Sequence, residues 1–147
     1  MAITIRKGQK KDLPAVHQLV CELATYEKAN GEVTASLEDY EQDFEANIFE
    51  TLVAEEEGVI LGMMLYYMTY STWKGRMLYL EDFVITQSQR QRGIGQLLFN
   101  AFLGEARKKK AVLAKWQVLD WNEPAVRFYE KNGAQIEKEW WTVKVFM

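Results

Sequence analysis

Cysteine and histidine occur once each in this 147-residue chain, as Cys21 and His17. A lone cysteine cannot close an internal disulfide, and one histidine with one cysteine is no donor set for a structural metal. Proline occurs twice, as Pro14 and Pro124, and no linker, repeat or low-complexity stretch interrupts the chain. No apolar run approaches the roughly 20 residues of a membrane-spanning helix. The opening "MAITIRKGQK" lacks the apolar segment of a signal peptide. A net charge of −3 does not make nucleic acid the default partner. The expectation is a cytoplasmic protein with no metal, no membrane association and no nucleic-acid partner.

What is present fits a folded chain. Apolar residues make up 48% and charged residues 27%, the profile of a soluble globular protein. The length suits a single domain, 1–147, with a real core. Charge is segregated. From Glu22 to Glu57 there are twelve acidic residues and one base, Lys28, whereas from Thr86 to Lys115 there are seven bases and one acid, Glu105. Such runs read either as solvated helix faces or as a bipolar molecule, with an anionic ligand near the basic segment and a cationic one near the acidic segment.

Periodicity orders the elements. Ile3 and Ile5 alternate in a first strand. Asp12 is placed to cap a helix with Pro14 in its first turn, and Leu13, Val16, Leu19, Val20 and Leu23 recur at helical spacing. A second helix from about Ser36 carries Leu37, Tyr40 and Phe44. "TLVAEEEGVILGMMLYYMTYS" reads as a hairpin turning near Glu57 and Gly58, and "MLYLEDFVIT" as a further strand. A helix follows from about Ile94 to Lys110, then the strand "AVLAKWQVLD". Asn122, Pro124 and Gly133 punctuate a short helix. "AQIEKEWWTVKVFM" is expected to add one or two strands. The order β-α-α-β-β-β-α-β-α-β(-β) is that of a mixed α/β domain.

The stretch "FVITQSQRQRGIGQLLFNAF" runs strand, glycine turn, helix. A helix N-terminus carries unpaired N–H groups and about half a positive charge, and Gly93 and Gly95 let backbone approach an anion. No Gly-Lys-Ser/Thr follows, so this is not a Walker A loop. The third glycine position of the dinucleotide motif is Leu98, so it is not that either. On its own the remaining R-x-x-G-x-G is equally an ordinary βα turn.

Context favours the cradle. Arg90, Gly93 and Gly95, after an apolar strand and before a helix, resemble the acetyl-CoA signature of the GNAT N-acetyltransferases. "ATYEK", "YYMTYSTWKGRMLYLEDFVI", "RQRGIG" and "WNEPAVRFYEKNGA" together resemble the spermidine/spermine N-acetyltransferase subfamily, which includes diamine and thialysine acetyltransferases. The resemblance implies an α/β GNAT-type acyl-CoA N-acyltransferase fold: a twisted, mixed, mostly antiparallel sheet with helices on both faces. It implies acetyl-CoA as co-substrate, with its pyrophosphate on the backbone of Gln91, Arg92, Gly93, Ile94, Gly95 and Gln96 beside Arg90. The pantetheine arm would pair with the main chain of Phe83, Val84 and Ile85. Asn122 and Pro124 join the coenzyme contacts. A homodimer is implied as well.

Acetyl transfer needs a neutral amine. An alkylammonium has a pKa near 10.4, so about one molecule in 10³ is nucleophilic at pH 7. Glu81 stands where the subfamily has its strand glutamate and is the candidate base; the alternative is an exposed strand residue or a charge that only holds the amine. Asp82 should point to the opposite face by strand alternation, and it is carried with the substrate contacts. Tyr129 occupies the family's general-acid position, with Phe128 expected to pack inward; the alternative is that both are core aromatics. Tyr26 and Glu27 match substrate-contact positions, and Glu139 is a looser match. The expected function is acetylation of a primary amine on a small polycation, a polyamine or diamine. A thialysine- or lysine-type amino acid is the rival substrate, and a non-catalytic coenzyme A-binding module the rival class.

Overall fold

Apolar side chains at alternate positions build five strands. They are β1 (Thr4–Lys7), β2 (Glu50–Glu56), β3 (Val59–Ser71), β4 (Gly75–Ile85) and β5 (Leu113–Lys115), lying side by side in that order. The first four pair antiparallel, and β5 joins β4 in parallel. The computed structural model describes residues 2–147, in two compact units, one ending at Trp116 and the other Gln117–Met147. Glu57 (φ 51°) and Gly58 (φ 80°) make the β2–β3 turn, both in the left-handed region that suits the twist of a tight hairpin.

In the first unit three helices cover the sheet: α1 (Leu13–Tyr26), α2 (Leu37–Glu45) and α3 (Ile94–Lys108). Strand alternation divides the burial. Val53, Met63, Leu65 and Val84 face Leu13, Val16 and Leu19 of α1, with Phe49 filling the gap and Tyr40 and Phe44 of α2 outside it. On the other face Tyr66 meets Phe102 of α3 edge-on at 5.5 Å, and Ile94, Leu98 and Phe99 are buried with it. The mixed, mostly antiparallel sheet with helices on both faces is therefore as expected.

Local chemistry sets the helix ends. Ser36 accepts from the Asp39 N–H at 3.1 Å, while Asp39 accepts from the Ser36 N–H at 2.8 Å, a reciprocal cap that starts α2. Asp12 sits at the N-cap of α1 but its side chain does not cap that helix. Its buried carboxylate accepts from both terminal nitrogens of Arg6 at 2.8 and 2.9 Å, and from the Gln9 N–H at 2.7 Å. The carboxylate is thus taken up by Arg6 and by the turn before the helix, not by the first-turn amides of α1.

The second unit holds α4 (Glu123–Lys131). Asn122 caps it, accepting from the Ala125 N–H at 3.4 Å, and Gly133 (φ 85°) ends it. The strands expected after it do not form: residues 134–147 carry no helix or strand. Trp140, Trp141, Val143, Val145 and Phe146 are 67–90% exposed. An alternating apolar pattern makes a strand only when a neighbouring strand supplies the ladder and a face to bury against.

Candidate active site

β4 carries the site. Its first half is paired on both sides, because Met77, Leu78 and Tyr79 lie between β3 and Leu113–Lys115 of β5. From Leu80 onward β4 keeps its pairing with β3 and has no strand partner on the β5 side among the described residues. Phe83, Val84 and Ile85 thus pair with β3 alone among the described strands, and the Ile85 carbonyl also accepts from Arg90 Nε at 3.3 Å. That stretch is the edge an extended amide-bearing chain can join.

The register of β4 breaks at one point. Tyr66 pairs with Leu80 and Leu65 with Asp82, which leaves Glu81 as an extra residue, a β-bulge. This corrects the expectation for Asp82. Alternation would send Glu81 and Asp82 to opposite faces, but the bulge turns both toward the α1–α2 side. There they line one cavity of about 400 Å³, together with Glu32, Asp43, Tyr40 and Leu65.

The electrostatics follow from that crowding. The Asp82 carboxyl is half-buried, and burial pushes it up to about 7, with the charges of Glu81 and then Glu27 adding to the rise. Burial also raises Glu27, which follows the last turn of α1. Glu81 is more exposed, and the Tyr67 hydroxyl donates to its Oε1 at 2.6 Å. Tyr67 stacks on Tyr79 at 5.5 Å, which fixes the ring that holds Glu81. Burial, then Asp82, raises the Tyr40 hydroxyl to about 12, so it stays a protonated donor at the cavity wall.

The loop after β4 has the geometry of an anion cradle. Gln91 (φ 68°) and Gly93 (φ 80°) are both left-handed, which turns successive N–H groups toward one point. The first i→i−4 bond of α3 runs from the Leu97 N–H to the Gly93 carbonyl, so Ile94 and Gly95 fall in the turn whose amides face the loop. A Cβ on Gly93 would meet nothing; glycine is needed there for its dihedral, not for space. The two arginines are placed differently from each other. Arg92 is clamped by Glu56, Nη1 to Oε1 at 3.1 Å and Nη2 to Oε2 at 2.8 Å, so its charge is spent within the protein. Arg90 donates through Nε to the Ile85 carbonyl at 3.3 Å, and its guanidinium lies 4.9 Å over the Tyr26 ring.

Tyr129, Asn122 and Pro124 lie on or beside α4 in the second unit. The Phe128 and Tyr129 rings are 5.8 Å apart and steeply tilted. Tyr129, not Phe128, is the more buried of the two, the reverse of the expected packing. Glu139 is exposed in the segment without regular structure. Within the first unit Glu81, Asp82 and Glu27 are electrostatically coupled, and Tyr26 is tied to Arg90. Sequence reasoning did not single out Tyr67, Tyr40, Glu32 or Asp43 for this cavity. Tyr67 lies within the quoted 66–85 string, but no feature of that string picks it out, and only the pairing of β3 with β4 sets it against Glu81.

Residues 13–134 match the Acetyltransferase (GNAT) family. The chain belongs to the GNAT acetyltransferase family. It is 35% identical over 151 residues to thialysine N-epsilon-acetyltransferase of Bos taurus, covering 95% of this chain and 89% of that protein. It is 30% identical over 139 residues to spermidine/spermine N(1)-acetyltransferase-like protein 1 of Homo sapiens, covering 88% of this chain and 20% of that protein. Among solved structures, an aminoglycoside acetyltransferase from an uncultured soil metagenomic sample superposes with a TM-score of 0.81 at 19% identity, over 99% of this chain and all of that one; at that identity the likeness concerns the fold. Enzymes of the GNAT family use acetyl-CoA, and the open β4 edge with the left-handed loop at Gln91 and Gly93 fits such a co-substrate. Among the described residues no group of three or more His, Cys, Asp and Glu side chains could hold a metal, and no helix is long and apolar enough to cross a membrane.

Proposed function

We propose that this acetyltransferase acts on the primary amine of a small polycation, a diamine or polyamine. The observation that carries the reading is the bulge at Glu81. It sets two adjacent carboxylates into one cavity with Glu32 and Asp43, and no side chain lining that cavity is basic. Such a wall attracts ammonium groups and offers nothing to a substrate carboxylate.

Acetyl-CoA supplies the acyl group. The amides of Gln91 to Gln96 would hold its pyrophosphate, and the main chain of Phe83, Val84 and Ile85 its pantetheine arm. Asn122 and Pro124 would join the coenzyme contacts. Glu81, held by Tyr67, would take the proton from the ammonium, directly or through water. Asp82, Glu27 and Tyr26 would hold the distal positive charge, and Glu139 is kept as a further substrate contact. Tyr129 would donate a proton to the departing thiolate, whose thiol has a pKa near 8.5. The family match crosses the boundary between the two compact units, which supports one functional domain over 1–147.

The names of relatives such as the bovine thialysine acetyltransferase favour a second reading, an amino acid bearing an ω-amine. A homodimer in the cytoplasm is part of the proposal; exposed Tyr70, Trp73, Trp140 and Trp141 support the dimer alone, which sedimentation velocity tests.

The deciding experiment measures thiol release from acetyl-CoA with spermidine, spermine, putrescine, 1,3-diaminopropane, thialysine and lysine, native against Tyr129→Phe. Turnover of diamines or polyamines above the amino acids, with most activity lost in the variant, is the expected result. Preference for thialysine or lysine overturns the polycation reading in favour of the second. Full activity in Tyr129→Phe removes that residue as the acid.

A further inference from the structure

Glu22 has no part in the chemistry proposed above, yet its carboxylate leaves its own helix. It lies one turn before Tyr26 on α1. Its Oε1 accepts from the Gln87 N–H at 2.8 Å and from the Thr86 hydroxyl at 3.1 Å, and its Oε2 is also 3.1 Å from that hydroxyl. Thr86 and Gln87 are where β4 ends and a short 3-10 turn, Gln87–Gln89, begins. Thr86 stands at the N-cap of that turn, but its side chain makes no capping bond. Glu22 supplies the acceptor from 65 residues away.

A second tie lies one turn further along the helix. Tyr26 receives Arg90 over its ring at 4.9 Å, and Arg90 is anchored to the Ile85 carbonyl. Positions 22 and 26 share one face of α1, so that face holds both the entry of the coenzyme loop and the residue just before its left-handed turn at Gln91. A solvent-open cavity of about 290 Å³, lined by Gln18, Cys21, Glu22, Tyr26, Gln87 and Arg90, separates the two elements here. The contacts therefore cross a wet seam rather than a packed core, where hydrogen bonds set geometry more than they add global stability.

We infer that Glu22 is a positioning residue. By holding Thr86 and Gln87 against α1 it fixes the entry of the loop, so that the Gln91 to Gln96 amides converge on the coenzyme pyrophosphate, and it keeps Tyr26 beneath Arg90. The inference rests on the proposed acetyl-CoA site. The sign of the effect is diagnostic. Glu22 is itself an anion beside a loop that takes an anion, so if charge alone mattered its neutralisation would tighten coenzyme binding. If it positions the loop, neutralisation weakens binding.

The test is calorimetric titration of coenzyme A, the unreactive thiol, into the native protein, Glu22→Gln, Thr86→Val and the double variant, with melting temperatures of the unliganded proteins and acetyl-CoA kinetics alongside. Loss of a charge-assisted anchor should weaken coenzyme A binding by about tenfold in Glu22→Gln. Thr86→Val should show a smaller loss, and the double variant should be no worse than Glu22→Gln, because the two side chains act through one contact. The KM for acetyl-CoA should rise more than kcat falls, with melting temperatures close to native. Equal or tighter binding in Glu22→Gln overturns the inference and leaves the acetyl-CoA site standing. So does a loss that merely follows a drop in melting temperature, or one that adds fully to that of Thr86→Val. No coenzyme A binding by the native protein overturns the acetyl-CoA site and the inference with it.

Discussion

Replacing Asp82 by Asn should stabilise the protein while weakening its hold on a cationic amine, and both effects should depend on pH. Asp82 has its carboxyl pushed from 3.8 to about 7, by burial first and then by Glu81 and Glu27. A folded-state value above the unfolded one means the folded protein resists losing that proton. The penalty is absent below pH 4, grows between pH 4 and pH 7, and is complete above about pH 7. A rise of roughly 3 units corresponds to about 4 kcal/mol at 1.36 kcal/mol per unit. The side chain is only half-buried, so solvent screening cuts this to about 2 kcal/mol. Asparagine is nearly isosteric and has no proton to lose. For a chain of this size about 2 kcal/mol corresponds to roughly 4–8 °C in melting temperature. Asp82→Asn should therefore melt about 4–8 °C higher than native at pH 8 and level with it near pH 4. At pH 8 the variant should also bind 1,3-diaminopropane more weakly than native, and the difference should shrink toward pH 6, where Asp82 is mostly protonated. Comparing the two proteins at each pH cancels the ionisation of the diamine itself. A melting difference that does not change between pH 4 and pH 8 would refute the reasoning, because it would have to come from packing rather than charge. Diamine affinity indifferent to the substitution at pH 8 would remove Asp82 from the substrate wall.

Asp12 works in the opposite direction: Arg6, through its hydrogen bonds, holds the Asp12 carboxyl below the usual carboxylate range. Its contribution is present above about pH 4 and lost as pH falls through the lowered value, so Asp12→Asn should lower urea stability by about 1.5–3 kcal/mol at pH 7 and flatten the acid limb of the stability profile. Gly8→Ala should cost about 1–3 kcal/mol, because its Cβ would lie 1.7 Å from Thr51 Oγ1; that buried hydroxyl makes no hydrogen bond, so adding Thr51→Ala should return part of the loss in the same urea titration. Tyr67→Phe removes the donor at 2.6 Å from Glu81 and, with Glu81 as the base, should lower kcat by about tenfold or more; an unchanged kcat would separate Glu81 from proton transfer.

How far the sequence can be read depends on whether a feature is local. The element order up to α4 was legible because helical and strand periods are properties of neighbouring residues: Leu13, Val16 and Leu19 fall on one face of α1, and Leu37, Tyr40 and Phe44 mark α2. The glycine turn was legible for the same reason, since Gly93 needs its dihedral whatever surrounds it. What failed depends on a partner. The bulge at Glu81 exists only because β3 and β4 differ by one residue across their pairing, so alternation within β4 alone puts Asp82 on the wrong face. Asp12 has the identity of a cap and is diverted by Arg6. Trp141, Val143 and Val145 alternate like a strand and have no strand beside them. The basic run after Thr86 suggests an anionic ligand nearby, yet Glu56, far away in sequence, takes the Arg92 side chain.

The same strand explains why the acids and the coenzyme edge lie together. β4 is held on both sides only as far as Tyr79. Beyond that point it is free to bulge, because an extra residue there disturbs one ladder instead of two. The missing neighbour that permits the bulge also leaves Phe83, Val84 and Ile85 paired with β3 alone, the stretch proposed to hold the pantetheine arm. The bulge and the stretch that pairs with β3 alone both lie past the end of β5 at Lys115. Extending β5 past Leu80 would add a second ladder along the stretch proposed for the coenzyme, so coenzyme A binding should weaken in any variant that lengthens that strand.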